Sequence, residues 1–188
     1  MEQMNARAAT NADIGLVHRE LMDLIDSMPF YSDLFKTHEK ARFTKTFLRT
    51  LIAVDPWHVL LLEMDGEVGG FLISGPDCGT IFQYWSAIFP KFRKTPLGRF
   101  GMEAFIEHWD NSRFHKASTY VRPDNRPALA LLRRYKYEQV ALLEQHIFGE
   151  DYLIMERKLN KTTQGYDRGL TLSAPKRMEL KLRKLFGG

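Results

Sequence analysis

The chain has 188 residues, 27 of them Lys or Arg and 23 Asp or Glu, for a formal charge of +4. That length fits one domain with a sizeable core, and 44% apolar with 27% charged residues is a globular composition, not a disordered one. The single cysteine, Cys78, excludes an internal disulfide and a cysteine-rich zinc site, and no apolar run approaches the ~18 residues that span a membrane. The polar start Met1–Asn5 is unlike a secretory leader, so a reducing cytoplasm is the expected compartment.

The charge is unevenly placed. Residues 1–159 hold 20 basic and 21 acidic side chains, whereas residues 160–188 hold seven basic and two acidic ones. The body is near neutral and the tail supplies the excess, so the overall charge does not mark the body as a nucleic-acid binder.

Thr10 followed by Asp13 reads as a helix start, and Ile14, Val17, Leu21, Leu24, Ile25 and Met28 then recur at helical spacing. Met28-Pro29-Phe30-Tyr31 breaks that pattern. A second helix is predicted from about Glu39 to Ile52. Asp55-Pro56 ends it, and Trp57–Met64 reads as a strand. Asp65-Gly66 is a strong hairpin turn, with a return strand from Glu67 to Ser74. Gly69-Gly70 within that strand points to a bulge or a close backbone approach.

Thr80–Phe89 reads as a third strand. Thr95-Pro96 then looks like a cap and first helical position for a helix running to about Trp109. His115–Val121 is a strand, Arg126–Tyr135 a short helix, and Tyr137–Leu143 and Tyr152–Leu159 two closing strands. The predicted class is α/β, with a mixed and mostly antiparallel central sheet flanked by helices.

This order, with these punctuating residues, resembles the GNAT (GCN5-related N-acetyltransferase) family over roughly Arg7 to Leu159. Arg7–Asp13 is similar to the family opening, and Glu63–Phe71 to its central hairpin. Phe89–Gly98 resembles its acetyl-CoA loop, whose core is Gln/Arg-x-x-Gly-x-Gly/Ala. Asn125–Leu132 resembles the following Asn-x-x-Ala helix, and Asp151–Glu156 the closing strand. The resemblance implies a GNAT-like domain over 1–159 and acetyl-CoA as co-substrate. Arg93, Lys94, Leu97, Gly98, Arg99 and Asn125 would bind it, and the strand end Ile88-Phe89 would offer backbone groups to the pantetheine arm. The physical basis is anion binding: free amides at a helix start meet a pyrophosphate with the positive end of the dipole, and small residues permit close approach.

The chain also departs from the family pattern. Pro96 stands where the first loop glycine is usual, which removes one backbone donor and leaves the Leu97 and Gly98 amides. Leu132 stands where the resemblance expects a general-acid tyrosine, and Tyr135, one turn later, is the available substitute. The strand Thr80–Phe89 carries no Asp or Glu.

Amine acetylation needs a base or water relay for the amine and donors for the thioester oxyanion. The candidates for base are Tyr84, Glu63, His58 and His115, with Tyr84 and Glu63 the catalytic expectation. Each also has a structural reading as strand or packing residue, and Asn125 can simply cap its helix. No histidine pair has metal-ligand spacing, and no nucleophile elbow or phosphate-binding Gly-x-x-x-x-Gly-Lys loop occurs.

Beyond Leu159 the resemblance stops. Residues 160–188 form an expected basic C-terminal arm, with a short amphipathic helix after Ser173 whose apolar stripe is Met178, Leu182, Leu185 and Phe186. Such a helix can dock on a protein partner through residues 172–188, with nucleic acid or a membrane surface as lesser alternatives. Two functions therefore stand open. One is an N-acetyltransferase acting on a small-molecule or peptide amine. The other is a catalytically degenerate GNAT-like docking protein held in a larger assembly, for which a virus particle is one setting.

Overall fold

The computed structural model describes residues 3–166, together with 169, 170, 174, 175 and 178. The amphipathic helix expected after Ser173 lies almost wholly outside the described residues. One seven-stranded sheet runs through the body in the order β1-β2-β3-β4-β5-β7-β6. Its strands are β1 (Met4–Ala8), β2 (Val59–Met64), β3 (Glu67–Asp77), β4 (Thr80–Ile88), β5 (Lys116–Val121), β6 (Glu138–Ile147) and β7 (Glu150–Lys158). Every neighbouring pair is antiparallel except β4 with β5. The mixed, mostly antiparallel α/β sheet expected from the sequence is the observed one.

Helices α1 (Ile14–Ser27), α2 (Asp33–Arg42) and α3 (Lys45–Val54) cover one face. There Val17, Leu21, Phe43, Leu48 and Leu51 pack on Leu61, Phe71 and Ile73. Helices α4 (Leu97–Trp109) and α5 (Arg126–Arg134) cover the other face. Their Met102, Phe105, Trp109, Leu129 and Leu132 meet Leu60, Leu62, Leu72 and Met155. Burial of these two apolar layers from water drives the arrangement.

Several predicted boundaries shift for local reasons. The single helix expected over 39–52 is two helices. Ser32 Oγ accepts the Phe35 amide at 3.3 Å and Thr44 Oγ1 accepts the Phe47 amide at 3.2 Å, so each helix has its own hydroxyl cap. The strand expected from Trp57 begins at Val59, because Asp55 accepts the Trp57 amide and winds Pro56–His58 into a 3-10 turn. Strand β1 is an addition at the sheet edge.

The Asp65-Gly66 hairpin forms as expected, with φ of 51° and 81°, the paired positive values of a type I′ turn. Two bulges shape the centre of the sheet. Gly69 is the extra residue between the pairs Leu62↔Gly70 and Glu63↔Val68. A Cβ there would approach Leu97 to 2.6 Å and Phe92 to 2.8 Å, so glycine admits the segment that leads into α4. Tyr84 is the extra residue between Ile73↔Trp85 and Ser74↔Gln83. Before it Ile81 belongs to the α4 face; after it Trp85 and Ala87 belong to the α1–α3 face.

Candidate functional site

Strands β4 and β5 pair only at Ile81↔Ala117 and Phe82↔Ser118. The hydroxyl of Thr119 donates to the Gln83 carbonyl at 2.9 Å as a last tie, and beyond it the strands part. The gap opens into a cavity of about 510 Å³. Arg93, Met102, Asn125, Leu131 and Leu132 line its α4–α5 end; Met28, Phe30, Tyr31, Trp85 and Tyr120 line the other. A smaller cavity of about 90 Å³ lies among Ile88, Gly98 and Leu131, and shares Ser86 and Met102 with the first. Ser86 is exposed although its strand is central to the sheet, because the gap uncovers it.

The β4 backbone faces this slot. The Phe89 amide bonds to the Gly69 carbonyl at 2.8 Å, which directs Phe89 and Ala87 toward β3. Antiparallel alternation then turns the amides of Ser86 and Ile88 the other way, into the gap. At the start of α4 the Gly98 amide has no acceptor among the described residues. A Cβ at Gly98 would lie 3.4 Å from Ile88 Cγ1, an ordinary contact, so the helix start lies directly against β4. Phe92 does not plug the slot: it is buried against Gly69.

No protein-family model matches the sequence, and no curated protein matches it. Solved structures do match in shape. An acetyltransferase of the GNAT family from Streptococcus pneumoniae superposes with a TM-score of 0.64 at 16% identity, over 84% of this chain and 100% of that one. The chain has the GNAT fold. A ribosomal-protein-alanine N-acetyltransferase from Brucella melitensis matches with a TM-score of 0.62 at 22% identity, over 82% and 99% of the two chains. The protein yncA from Salmonella typhimurium, whose structure contains its cofactor acetyl-CoA, matches with a TM-score of 0.60 at 18% identity, over 88% and 98%.

Within this GNAT fold the expected cofactor residues separate into two groups. Arg93 lines the main cavity, Ile88 and Gly98 line the smaller one, and Lys94 is exposed beside Arg93. Asn125 also lines the main cavity, while its side chain accepts the Ala128 amide at 3.3 Å and caps α5. Three residues do not fit the expectation. Phe89 has its amide bonded to Gly69 and its carbonyl bonded to the Phe92 amide, so neither group is available. Leu97 has its amide bonded to Thr95 Oγ1 at 3.3 Å and its side chain fully buried. Arg99 lines neither cavity, and its carbonyl accepts the Tyr135 hydroxyl at 3.1 Å.

The residues expected to be catalytic have other surroundings. Glu63 lies in an ion-pair cluster on β1 and β2, where Arg7 Nε donates to it at 2.7 Å and Asn5 at 2.9 Å. The Arg7 bond holds its carboxyl below the usual range, and it lines neither cavity of the slot. Tyr84 does border the cavity, but its ring packs among Phe43, Phe82 and the Arg42 guanidinium, 4.8 Å away. Burial pushes its hydroxyl up, which makes it a poor base. His58 is buried and stacked on Trp109, and His115 belongs to a separate groove with Lys116 and Lys158.

Tyr135 is not positioned to replace the missing acid either. Its hydroxyl donates to Glu103 at 2.8 Å, on the outer side of α4. Leu132 itself lines the cavity, where it has no proton to give. The sequence reading missed Tyr31, Trp85, Ser86, Tyr120 and Asp124, all of which border the slot. No local signal marks them, because β4 is covered on both faces and its sequence shows no alternation that would reveal the bulge.

Proposed function

We propose that the protein is an N-acetyltransferase that moves the acetyl group of acetyl-CoA to a primary amine. The observation that carries this reading is the gap between β4 and β5, with the Ser86 and Ile88 amides turned into it. Such fixed donors suit a carbonyl oxygen that gains charge as the amine adds. Arg93, Lys94 and the Gly98 amide would receive the phosphates at the α4 start, where charge and helix dipole act together. The yncA neighbour, solved with acetyl-CoA, and the Brucella N-acetyltransferase support the choice of co-substrate and reaction.

In the transfer, a C–N bond forms and the thioester C–S bond breaks. The amine loses one proton and the sulfur gains one, so an amide and a free thiol result. With Leu132 in the slot, the sulfur's proton comes from water, which reaches the gap at exposed Ser86. Pro96 removes one donor from the loop and leaves Gly98 and the two basic side chains.

The competing reading, a non-catalytic docking module, draws on Pro96, on Leu132 and on a tail whose expected helix lies almost wholly outside the described residues. The open slot weighs against it. The test is thiol release on mixing the protein with acetyl-CoA and a pool of primary amines. Amine-dependent release supports the reading; release no faster than in the protein-free control overturns it.

A further inference from the structure

We infer that the acceptor is an arylalkylamine: a single ammonium group on a short chain that ends in an aromatic ring. The inference rests on the reading of the slot as an N-acetyltransferase site and names its acceptor class. The acceptor end of the main cavity is walled by Phe30, Tyr31, Tyr84, Trp85 and Tyr120. Tyr31 meets Trp85 edge to face at 5.7 Å between ring centres, and Tyr120 meets Phe82 at 5.1 Å. Tyr120 is nonetheless 38% exposed, so its ring is an open wall. Aromatic walls favour a flat apolar guest by offset or edge contacts, and they attract an ammonium group to their faces.

Charge narrows the class further. Among the described residues, Asp124 is the one carboxylate that lines this cavity. Its side chain is 57% exposed and its contact to Arg122 is long, at 3.5 Å, so it can also meet an incoming cation. Glu39 is close by but lies behind the wall, with Oε2 taken by the Trp85 indole at 2.8 Å. A neighbouring cavity of about 470 Å³ shares Tyr84 and Tyr120, and there the Arg42 guanidinium accompanies Glu39 and Asp77. One exposed carboxylate, held to Arg122 by a single long contact, suits one ammonium. A polyamine would bring further cations to a cavity whose one carboxylate is Asp124, and past it to a groove where Arg42 already pairs with Glu39. The volume also belongs to the small-ligand range.

The test measures thiol release from acetyl-CoA with 2-phenylethylamine, tyramine and tryptamine, and in parallel with spermidine and a lysine-containing peptide. Acetyl-CoA binding is measured separately by calorimetry. The expected result is a kcat/KM for the arylalkylamines at least about tenfold above those of the other two acceptors. Tyr120→Ala and Asp124→Asn should each raise KM for tyramine by about tenfold, while acetyl-CoA affinity stays within about twofold of the unsubstituted protein. Acetyl-CoA binding together with equal or faster turnover of spermidine or the peptide would overturn the acceptor class and leave the transferase reading standing. Binding with no arylalkylamine turnover would do the same, and absence of acetyl-CoA binding would overturn both.

Discussion

The indole of Trp85 donates to the carboxylate of Glu39 at 2.8 Å, and both residues are buried, one on β4 and the other on α2. This bond joins the helical layer to the strand immediately after the Tyr84 bulge, so it fixes the face on which Trp85 meets the slot. Removing the acceptor leaves a buried indole N–H without a partner. Glu39→Ala should therefore lower unfolding free energy by about 1–3 kcal/mol in a urea titration, while Glu39→Gln, which keeps an oxygen acceptor, should lose less.

The Tyr135 hydroxyl is engaged with Arg99 and Glu103 on the outer side of α4. Tyr135→Phe should cost about 0.5–1.5 kcal/mol of stability through the lost bonds and leave the acetyl-transfer rate unchanged. A large fall in kcat with unchanged stability would show that the hydroxyl protonates the leaving sulfur after all.

Arg7 bridges Asp13 at 2.9 Å and Glu63 at 2.7 Å. The guanidinium holds the Asp13 carboxyl down at about 2, from an ordinary 3.8, chiefly by direct hydrogen bonding. A depressed carboxylate contributes its full stabilisation above the unfolded-state value and loses it as pH falls toward the folded-state value. Arg7→Ala should thus cost on the order of 1 kcal/mol at neutral pH, with allowance for solvent around a partly exposed arginine. The difference between the two proteins should shrink between pH 4 and about 2 in thermal melts. Glu63→Gln should alter stability and leave transfer intact, because Glu63 belongs to this cluster and not to the slot.

Gly98 approaches Ile88 closely enough that an added Cβ would already be at 3.4 Å. Gly98→Val adds two further methyl groups at the start of α4, beside the small cavity. Acetyl-CoA affinity should fall by more than tenfold, about 1.4 kcal/mol, in calorimetry, with little change in the melting temperature.

Much of the fold was legible because turns and caps are local. Asp65-Gly66 specifies a turn whatever surrounds it, and the apolar spacing of α1 reads directly as a helix face. The divided helix was also encoded, in Ser32 and Thr44, but apolar residues on both sides of Phe43 masked the break. The site was less legible. Strand β4 is covered on both faces, so Ile81-Phe82-Gln83-Tyr84-Trp85 shows no alternation whose slip would reveal the bulge. Glu63 looked available because its partner Arg7 is 56 residues away in sequence. Phe89 and Leu97 looked free because the bonds to Gly69 and Thr95 that occupy their amides depend on a loop conformation. Tyr31 comes from the loop after α1, and Tyr120 and Asp124 from the end of β5 and the turn after it, so they meet only in the folded chain.

The most direct measurement is isothermal calorimetry of the full chain with acetyl-CoA, repeated with Arg93→Ala. We expect one molecule bound per chain with a dissociation constant in the micromolar range, weakened about tenfold or more by Arg93→Ala, which removes a charge from the wall of the main cavity. No detectable heat of binding with the unsubstituted protein, or equal affinity after Arg93→Ala, would contradict an acetyl-CoA site between β4 and the start of α4.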